Sequence, residues 1–210
     1  MLLHNRQIPN GNLSIHLAHH DLYEKAGILH RDISINNLMV DPNDPRRGIL
    51  IDLDMAARDK DPDSGMKLGL PPLPGGTVPF RAADLCDHDP LPRTLYRHDL
   101  ESFFFVLIWM ALYRANKPID RHFKRWSTGS WSGIREYKEG FLISHVNAYL
   151  PQDLPLRASW IEPLWKAFGS GYEAKLRFPG TADIDTRVDE ETLSNHISYN
   201  MFMGILNKGL

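Results

Sequence analysis

Residues 30–37, which read His-Arg-Asp-Ile-Ser-Ile-Asn-Asn, contain two side chains suited to catalysis. Asp32 can orient a hydroxyl group and accept its proton, and the amide oxygen of Asn37, five positions later, can bind a hard cation. An apolar pair precedes this stretch and a β-prone run, residues 38–40, follows it, which predicts a loop between ordered segments. Asp, Ser and Asn also favour turns, so a polar turn without a chemical role remains an alternative.

A short hairpin is predicted to bring a second carboxylate to Asn37. Residues 38–40 and 49–51 are β-prone, and the Pro- and Asp-rich connection between them favours a turn. In an antiparallel hairpin the residue before the first strand lies beside the residue after the second, which brings Asn37 near Asp52. Carboxylate and amide oxygens together with water suit Mg²⁺. The sequence therefore predicts a metal site at Asn37 and Asp52, to which Asp54 adds a third carboxylate.

The composition argues against several classes of protein. The 210 residues include 24 Lys+Arg and 26 Asp+Glu, and this balance disfavours a broad nucleic-acid surface. The longest apolar run, residues 103–113, would span roughly 16 Å as a helix against a hydrocarbon core of about 30 Å, so we expect a buried helix and no membrane span. The single cysteine, Cys86, cannot form an internal disulfide, and residues 1–10 lack a secretory signal. An intracellular location is expected, with cytoplasm and nucleus not distinguished.

Hydrophobic periodicity predicts a mainly α chain with the short β-hairpin described above. The first helix is expected over residues 12–26, with Asn12 as its N-cap and Gly27 as its terminator. Three histidines of this helix are expected to form a solvated face and not a metal site: His16, His19 and His20. Further helices are predicted over residues 98–110, 134–146, 160–168 and 190–206. A core stripe is expected at Trp160, Leu164, Trp165 and Phe168, and Trp126 and Trp131 are expected to pack.

Four motifs, in this order along the chain, resemble the fungal-type protein kinase family. Residues 30–37 fit the phosphotransferase loop H-R-D-x-x-x-x-N, and residues 49–56, Ile-Leu-Ile-Asp-Leu-Asp-Met-Ala, fit its metal motif. Residues 76–85 look like the end of an activation segment, and residues 98–109 begin with His-Asp-Leu-Glu-Ser-Phe-Phe. The resemblance spans roughly residues 12–170. It implies a two-lobed kinase fold, ATP with Mg²⁺, and transfer to a Ser or Thr hydroxyl of a protein substrate.

The resemblance implies a role for five residues. Asp32 would orient the acceptor hydroxyl, and Thr77 would hydrogen-bond Asp32. Asn37 and Asp52 would hold the magnesium that accompanies ATP. Arg31 would pair with a phosphorylated residue of the activation segment, because a guanidinium binds phosphate in a bidentate manner. Ser64 is one candidate for that modification.

Asp99, near the start of the predicted helix 98–110, has two possible roles. It can cap that helix. In the kinase interpretation its carboxylate accepts hydrogen bonds from the backbone of His30 and Arg31. We expect the second role, because a buried charge without such donors costs several kcal/mol.

The chain also departs from the family pattern. Asp54 replaces the usual glycine of the metal motif, Ser34 stands where a lysine normally contacts the γ-phosphate, and Ala83 and Asp84 stand where Pro and Glu are usual. Only 29 residues precede His30, and they contain neither G-x-G-x-x-G nor a V-A-I-K-type lysine. The chain is therefore expected to be a kinase-like C-lobe with its N-lobe missing or separately supplied.

In this interpretation residues 1–170 form the lobe, with a catalytic loop at 30–37, a metal motif at 52–54 and an activation segment at 52–84. Residues 171–210 form a C-terminal extension whose final helix packs on the lobe. Three functions remain open: a truncated protein kinase, a catalytically inactive kinase-like binding module, and a small-molecule phosphotransferase similar to the aminoglycoside and choline phosphotransferases. Arg31 and Thr77 favour a protein kinase over the third function.

Overall fold

The computed structural model describes residues 8–44, 46–59, 76–86, 92–117, 121–177 and 189–208. The chain is mainly helical with a few short strands, as the periodicity predicts. It divides into two compact units, Met1–Val106 and Leu107–Leu210. Among the described helices none is both long enough and apolar enough to cross a membrane.

The first helix, α1 (Ile8–Ala26), leads into the loop at residues 30–37. It begins four residues before the predicted start, so Asn12 lies inside the helix and the predicted N-cap is wrong. Its end is as predicted: Gly27 has a φ of +64° and its N–H donates to the carbonyl of Tyr23 at 2.7 Å. Glycine adopts this left-handed backbone without the steric cost of a Cβ, which lets the chain turn out of the helix.

Two small antiparallel sheets frame the loop. In the first, β2 (Leu38–Val40) pairs with β3 (Gly48–Leu50) in the register Leu38↔Leu50, Met39↔Ile49 and Val40↔Gly48. The predicted hairpin is confirmed, although its second strand begins and ends one residue earlier than expected. In the second sheet, β1 (Ile28–Leu29) pairs with β4 (Ala57–Arg58). These pairings hold both ends of the loop region, because β1 precedes it and β2 follows it.

The helix α2 (Tyr96–Arg114) begins two residues before the predicted start. Phe103, Phe104 and Phe105 are at most 2% exposed, which confirms a buried apolar segment. Two turns of 3₁₀ helix, Val78–Phe80 and Ala83–Leu85, precede α2 in the first unit.

The predicted solvated histidine face of α1 is wrong for two of its three members. His16 and His19 are 3% and 0% exposed, and both rings lie against Phe103 of α2, with centroid distances of 4.1 and 5.2 Å. An imidazole has an apolar body, so it can fill a core position where its polar atoms find partners. Only His20 of the three remains partly exposed.

The second unit is helical. Its helices are α3 (Arg121–Arg125), α4 (Trp131–Ile143), α5 (Glu162–Arg177) and α6 (Tyr199–Lys208), with a 3₁₀ turn at Val146–Ala148 and a π-helical turn at Arg157–Ile161 leading into α5. The predicted core stripe of Trp160, Leu164, Trp165 and Phe168 is confirmed, since each is at most 3% exposed. Trp126 is buried as expected, but Trp131 is 42% exposed.

The helix predicted over residues 190–206 is wrong in its first half. Residues 193–195 have φ values of 48°, 56° and 66°, a left-handed turn that a right-handed helix cannot contain. Leu193 is fully buried in this turn, and a Cβ on Gly171 would lie 2.9 Å from its Cβ. Regular helix begins only at Tyr199, and the Trp160 indole N–H donates to the carbonyl of Leu206 at 2.9 Å.

Candidate active site

Asp32 is the centre of a hydrogen-bond network in the first unit. Its Oδ1 accepts two bonds from Thr77, from the backbone N–H at 2.7 Å and from the hydroxyl Oγ1 at 2.9 Å. Its Oδ2 accepts a longer bond, 3.2 Å, from the Nδ2 amide of Asn37, which also donates to the Asp32 carbonyl at 2.9 Å. The hydrogen bond predicted between Thr77 and Asp32 is therefore present. Asp32 is half-buried, so its carboxylate is oriented by the protein and still open to a ligand.

The His30 side chain connects this loop to the metal motif. Its Nε2 donates to the carbonyl of Ile51 at 3.0 Å, and its Nδ1 accepts the N–H of Asp32 at 3.3 Å. One nitrogen donates and the other accepts, which is the pattern of a neutral imidazole. Burial lowers the pKa of His30, and this effect outweighs the opposing influence of Asp99 and Ile51. His30 thus ties the backbone of Asp32 to Ile51, the residue before Asp52.

Asp99 holds the backbone at the start of the loop. Its Oδ2 accepts the N–H of His30 at 2.8 Å and its Oδ1 accepts the N–H of Arg31 at 3.0 Å, as the kinase interpretation predicts. Arg31 has a φ of 68°, a left-handed conformation that costs a non-glycine residue about 1–2 kcal/mol. The two charge-assisted bonds offset this cost, because each is worth about 1.5–3 kcal/mol. Asp99 therefore stabilises a strained backbone directly before Asp32.

A third donor to Asp99 comes from α1. The Nε2 of His19 lies 2.9 Å from Oδ2 of Asp99, and the imidazole stacks on Tyr96 at a centroid distance of 4.9 Å. Burial alone would raise the pKa of Asp99, but the hydrogen bond and charge of His19, with the His30 N–H, lower it overall. The carboxylate form, which accepts all three bonds, is thereby favoured.

The predicted metal ligands lie at the open end of the β2–β3 hairpin, with Asn37 before β2 and Asp52 and Asp54 after β3. The N–H of Ile51 donates to the carbonyl of Asn37 at 3.0 Å, so Asp52 follows directly after the residue opposite Asn37. Asn37 directs its Nδ2 towards Asp32, which leaves its amide oxygen as the donor for a cation. Asp52 and Asp54 are both exposed, and Asp52 has a φ of 67°. Their roles as metal ligands stay predictions.

These donors suit magnesium in kind. Amide and carboxylate oxygens are hard ligands, and Mg²⁺ usually keeps several waters beside one or two protein ligands. Within the described ranges, no three Asp, Glu, His or Cys side chains lie close enough together to hold a metal unaided. The oxygens of Asn37 and Asp52 therefore suit a cation whose remaining ligands are water and phosphate oxygens.

The segment 76–86 is anchored to the start of α2. The backbone N–H of Ala83 donates to Oε1 of Glu101 at 2.8 Å, and Asp84 forms a buried ion pair with Arg97. Gly76 approaches the loop so closely that a Cβ would lie 2.8 Å from the Arg31 carbonyl oxygen. The predicted activation segment is described only in part, because residues 60–75, with Ser64, lie outside the described residues, and the predicted pairing of Arg31 with a phosphate stays a prediction.

Sequence reasoning missed four buried polar residues of this region: His19, Arg81, Arg97 and Glu101. Arg97 and Glu101 could have been found from their place beside Asp99 at the start of an apolar helix, because a charged side chain that faces the core needs a partner. The partners come from other elements, so the spacing along the chain does not reveal them. Ser34, the residue in place of the usual lysine, is 1% exposed.

Comparison with known proteins gives one match. Residues 15–111 match the family described as fungal protein kinase. No curated protein and no solved structure matches the chain. The matched stretch contains the loop with Asp32, the hairpin, segment 76–86 and the part of α2 that carries Asp99. The family resemblance predicted from the motifs is confirmed over residues 15–111, where the chain is similar to fungal protein kinases.

Proposed function

We propose that this chain carries the C-terminal lobe of a protein kinase, which transfers the γ-phosphoryl group of ATP to a Ser or Thr hydroxyl of a protein substrate. The observation that carries the proposal is the asymmetry of the Asp32 carboxylate. Oδ1 receives two short bonds from Thr77, whereas Oδ2 receives one longer bond from Asn37. Oδ2 is therefore the atom that has capacity to accept a hydrogen bond from a substrate hydroxyl.

In this proposal Asp32 orients the acceptor hydroxyl and takes its proton as the phosphoryl group is transferred. Efficient transfer needs the reacting groups held in one geometry. Three contacts support such a geometry: Asp99 fixes the backbone before Asp32, His30 fixes its N–H, and Thr77 fixes its Oδ1. Arg31 is proposed to pair with a phosphate on the activation segment.

Asn37 and Asp52 are the residues proposed to hold Mg²⁺, with Asp54 as a further ligand. When bound together with ATP, magnesium neutralises charge on the phosphates during transfer. The two oxygens of Asn37 and Asp52 leave room for the phosphates and water that this ion requires. The buried Ser34 does not replace the usual lysine, so positive charge at the γ-phosphate must have another source.

The part of the enzyme that covers ATP is proposed to be an N-lobe outside these 210 residues, since residues 1–29 carry no Gly-rich loop. Large apolar side chains on and beside β3 support a covering partner. Ile49, Ile51, Leu53 and Met55 are 36%, 36%, 49% and 36% exposed. The proposed lobe spans residues 1–170, residues 171–210 are its C-terminal extension, and the proposed location is intracellular.

A transfer assay tests the proposal. The 210-residue chain, and the longest open reading frame that contains it, are incubated with Mg²⁺ and ATP labelled in the γ-phosphate. General protein acceptors and hydroxylated small molecules are offered separately. We expect label on Ser or Thr of the protein acceptors. Label on the small molecules alone would indicate a small-molecule phosphotransferase, and no transfer by either chain would indicate an inactive binding module.

A further inference from the structure

One peptide group lies between a buried guanidinium and Asp32. The carbonyl oxygen of Gly76 accepts a hydrogen bond from an Nη atom of Arg81 at 3.0 Å. The N–H of the same peptide belongs to Thr77 and donates to Oδ1 of Asp32 at 2.7 Å. Arg81 therefore contacts one end of a peptide dipole whose other end contacts the proposed base.

The position of this peptide is set by sterics. Gly76 has a φ of +89°, and a Cβ there would lie 2.8 Å from the carbonyl oxygen of Arg31. Only glycine allows the segment to approach the loop this closely. Arg81 in turn follows the 3₁₀ turn Val78–Phe80, and its own N–H donates to the carbonyl of Thr77 at 3.1 Å. The backbone thus holds Arg81, the peptide and Asp32 in one continuous chain of hydrogen bonds.

Burial makes this arrangement electrostatically effective. Arg81 is 6% exposed, and a hydrogen bond is stronger in an environment of low dielectric than in water. Burial lowers the pKa of Arg81, while Cys86 and Asp32 raise it, which indicates that Asp32 lies within electrostatic range of the guanidinium. Arginine nevertheless stays protonated in proteins. A positive charge at a peptide carbonyl polarises the peptide and strengthens its N–H as a donor.

We propose that Arg81 is a positioning residue that acts on Asp32 through the Gly76–Thr77 peptide. It strengthens the Thr77 N–H bond to Oδ1, fixes the rotation of the Asp32 carboxylate, and so keeps Oδ2 aimed at the substrate hydroxyl. The role of Oδ2 rests on the function proposed above. The hydrogen-bond relay from Arg81 to Asp32 does not rest on it and can be measured separately.

The test combines NMR of the Thr77 amide with transfer kinetics on two variants. Arg81→Met removes the charge and the donor, and Arg81→Lys keeps the charge. In Arg81→Met we expect the Thr77 amide proton to move upfield and to exchange faster with solvent, and kcat to fall about tenfold with KM for ATP unchanged. Arg81→Lys is expected to keep the Thr77 amide shift and exchange rate, and also kcat, close to the wild-type values.

Arg157→Met is the matched control. Arg157 is also 6% exposed and donates to the backbone carbonyls of Leu150 and Pro151 at 2.6 Å, but it belongs to the second unit. We expect it to lower stability without changing the Thr77 amide or kcat. A Thr77 amide unchanged in Arg81→Met, or changed equally in Arg157→Met, overturns the proposal. A changed amide in a chain that transfers no phosphate supports the relay and contradicts the proposed function.

Discussion

Replacing Asp99 by Asn tests whether this residue holds the loop that carries Asp32. The carboxylate accepts the N–H of His30 and the Nε2 of His19 on Oδ2, and the N–H of Arg31 on Oδ1. An Asn has nearly the same shape but only one acceptor oxygen, and its NH₂ group is a donor. In either orientation of the amide, at least one backbone or imidazole donor faces another donor.

The expected loss follows from these three contacts. If the Asn oxygen keeps the two bonds on the Oδ2 side, the Arg31 N–H loses a charge-assisted bond worth about 1.5–3 kcal/mol. That N–H belongs to a residue in a strained conformation at a φ of 68°, so the strain is no longer offset. We expect a loss of about 3 kcal/mol, which lowers the melting temperature of a chain of this length by about 6–12 °C.

Thermal unfolding and amide hydrogen exchange measure this loss. Asp21→Asn is the control, because Asp21 is an exposed carboxylate of α1 whose ion pair with Lys25 is worth about 0.3–0.5 kcal/mol. In Asp99→Asn the amides of His30 and Arg31 should exchange faster than in the control. The role of Asp99 in holding the loop backbone is refuted if the two variants melt within 2 °C of each other (roughly 1 kcal/mol) with equal exchange at these amides.

Two further predictions concern stability. Gly76→Ala places a Cβ 2.8 Å from the Arg31 carbonyl oxygen at a φ of +89°, so urea unfolding should show that the free energy of unfolding falls by about 1–3 kcal/mol. The control Gly140→Ala, in open space within α4, should leave this free energy unchanged or raise it. Equal effects of the two substitutions would contradict the close approach of Gly76 to the loop. Burial lowers the pKa of His16 to about 3 and of His98 to about 4, so both stay neutral in the fold while the unfolded chain takes up protons below about pH 6.5. Stability should therefore fall as pH decreases from 6.5 towards 4, by about 2 kcal/mol per histidine at pH 5 relative to pH 7, and a pH-independent unfolding free energy would contradict this burial.

The sequence predicted those parts of the site that are formed by residues close together along the chain. The hairpin follows from two β-prone runs and a turn, and it brings Ile51 opposite Asn37. Two other contacts could be predicted only from the motif order of a known family. They are the hydrogen bond from Thr77 to Asp32 and the bond that the loop backbone donates to Asp99. The continuous apolar run at residues 103–113 also located the buried segment of α2.

Side-chain contacts between elements far apart in the chain could not be predicted from the sequence. A histidine counts as polar in a helical pattern, so nothing in α1 indicates that His19 meets Asp99, 80 positions away. The same holds for Arg97 with Asp84, two buried charges that stabilise each other across 13 positions of the chain. The left-handed turn at residues 193–195 was missed because its cause, close packing of Leu193 against Gly171, lies in the tertiary structure.

The most direct test of the central claim is the rate of γ-phosphoryl transfer by Asp32→Asn. If Asp32 orients the acceptor and takes its proton, the initial rate on a protein acceptor should fall by a factor of about 10²–10⁴, the usual contribution of a general base. The control Asp21→Asn, on the exposed face of α1, should keep the wild-type rate. An Asp32→Asn protein that folds and transfers phosphate at the wild-type rate would contradict the assignment of this loop as the catalytic centre.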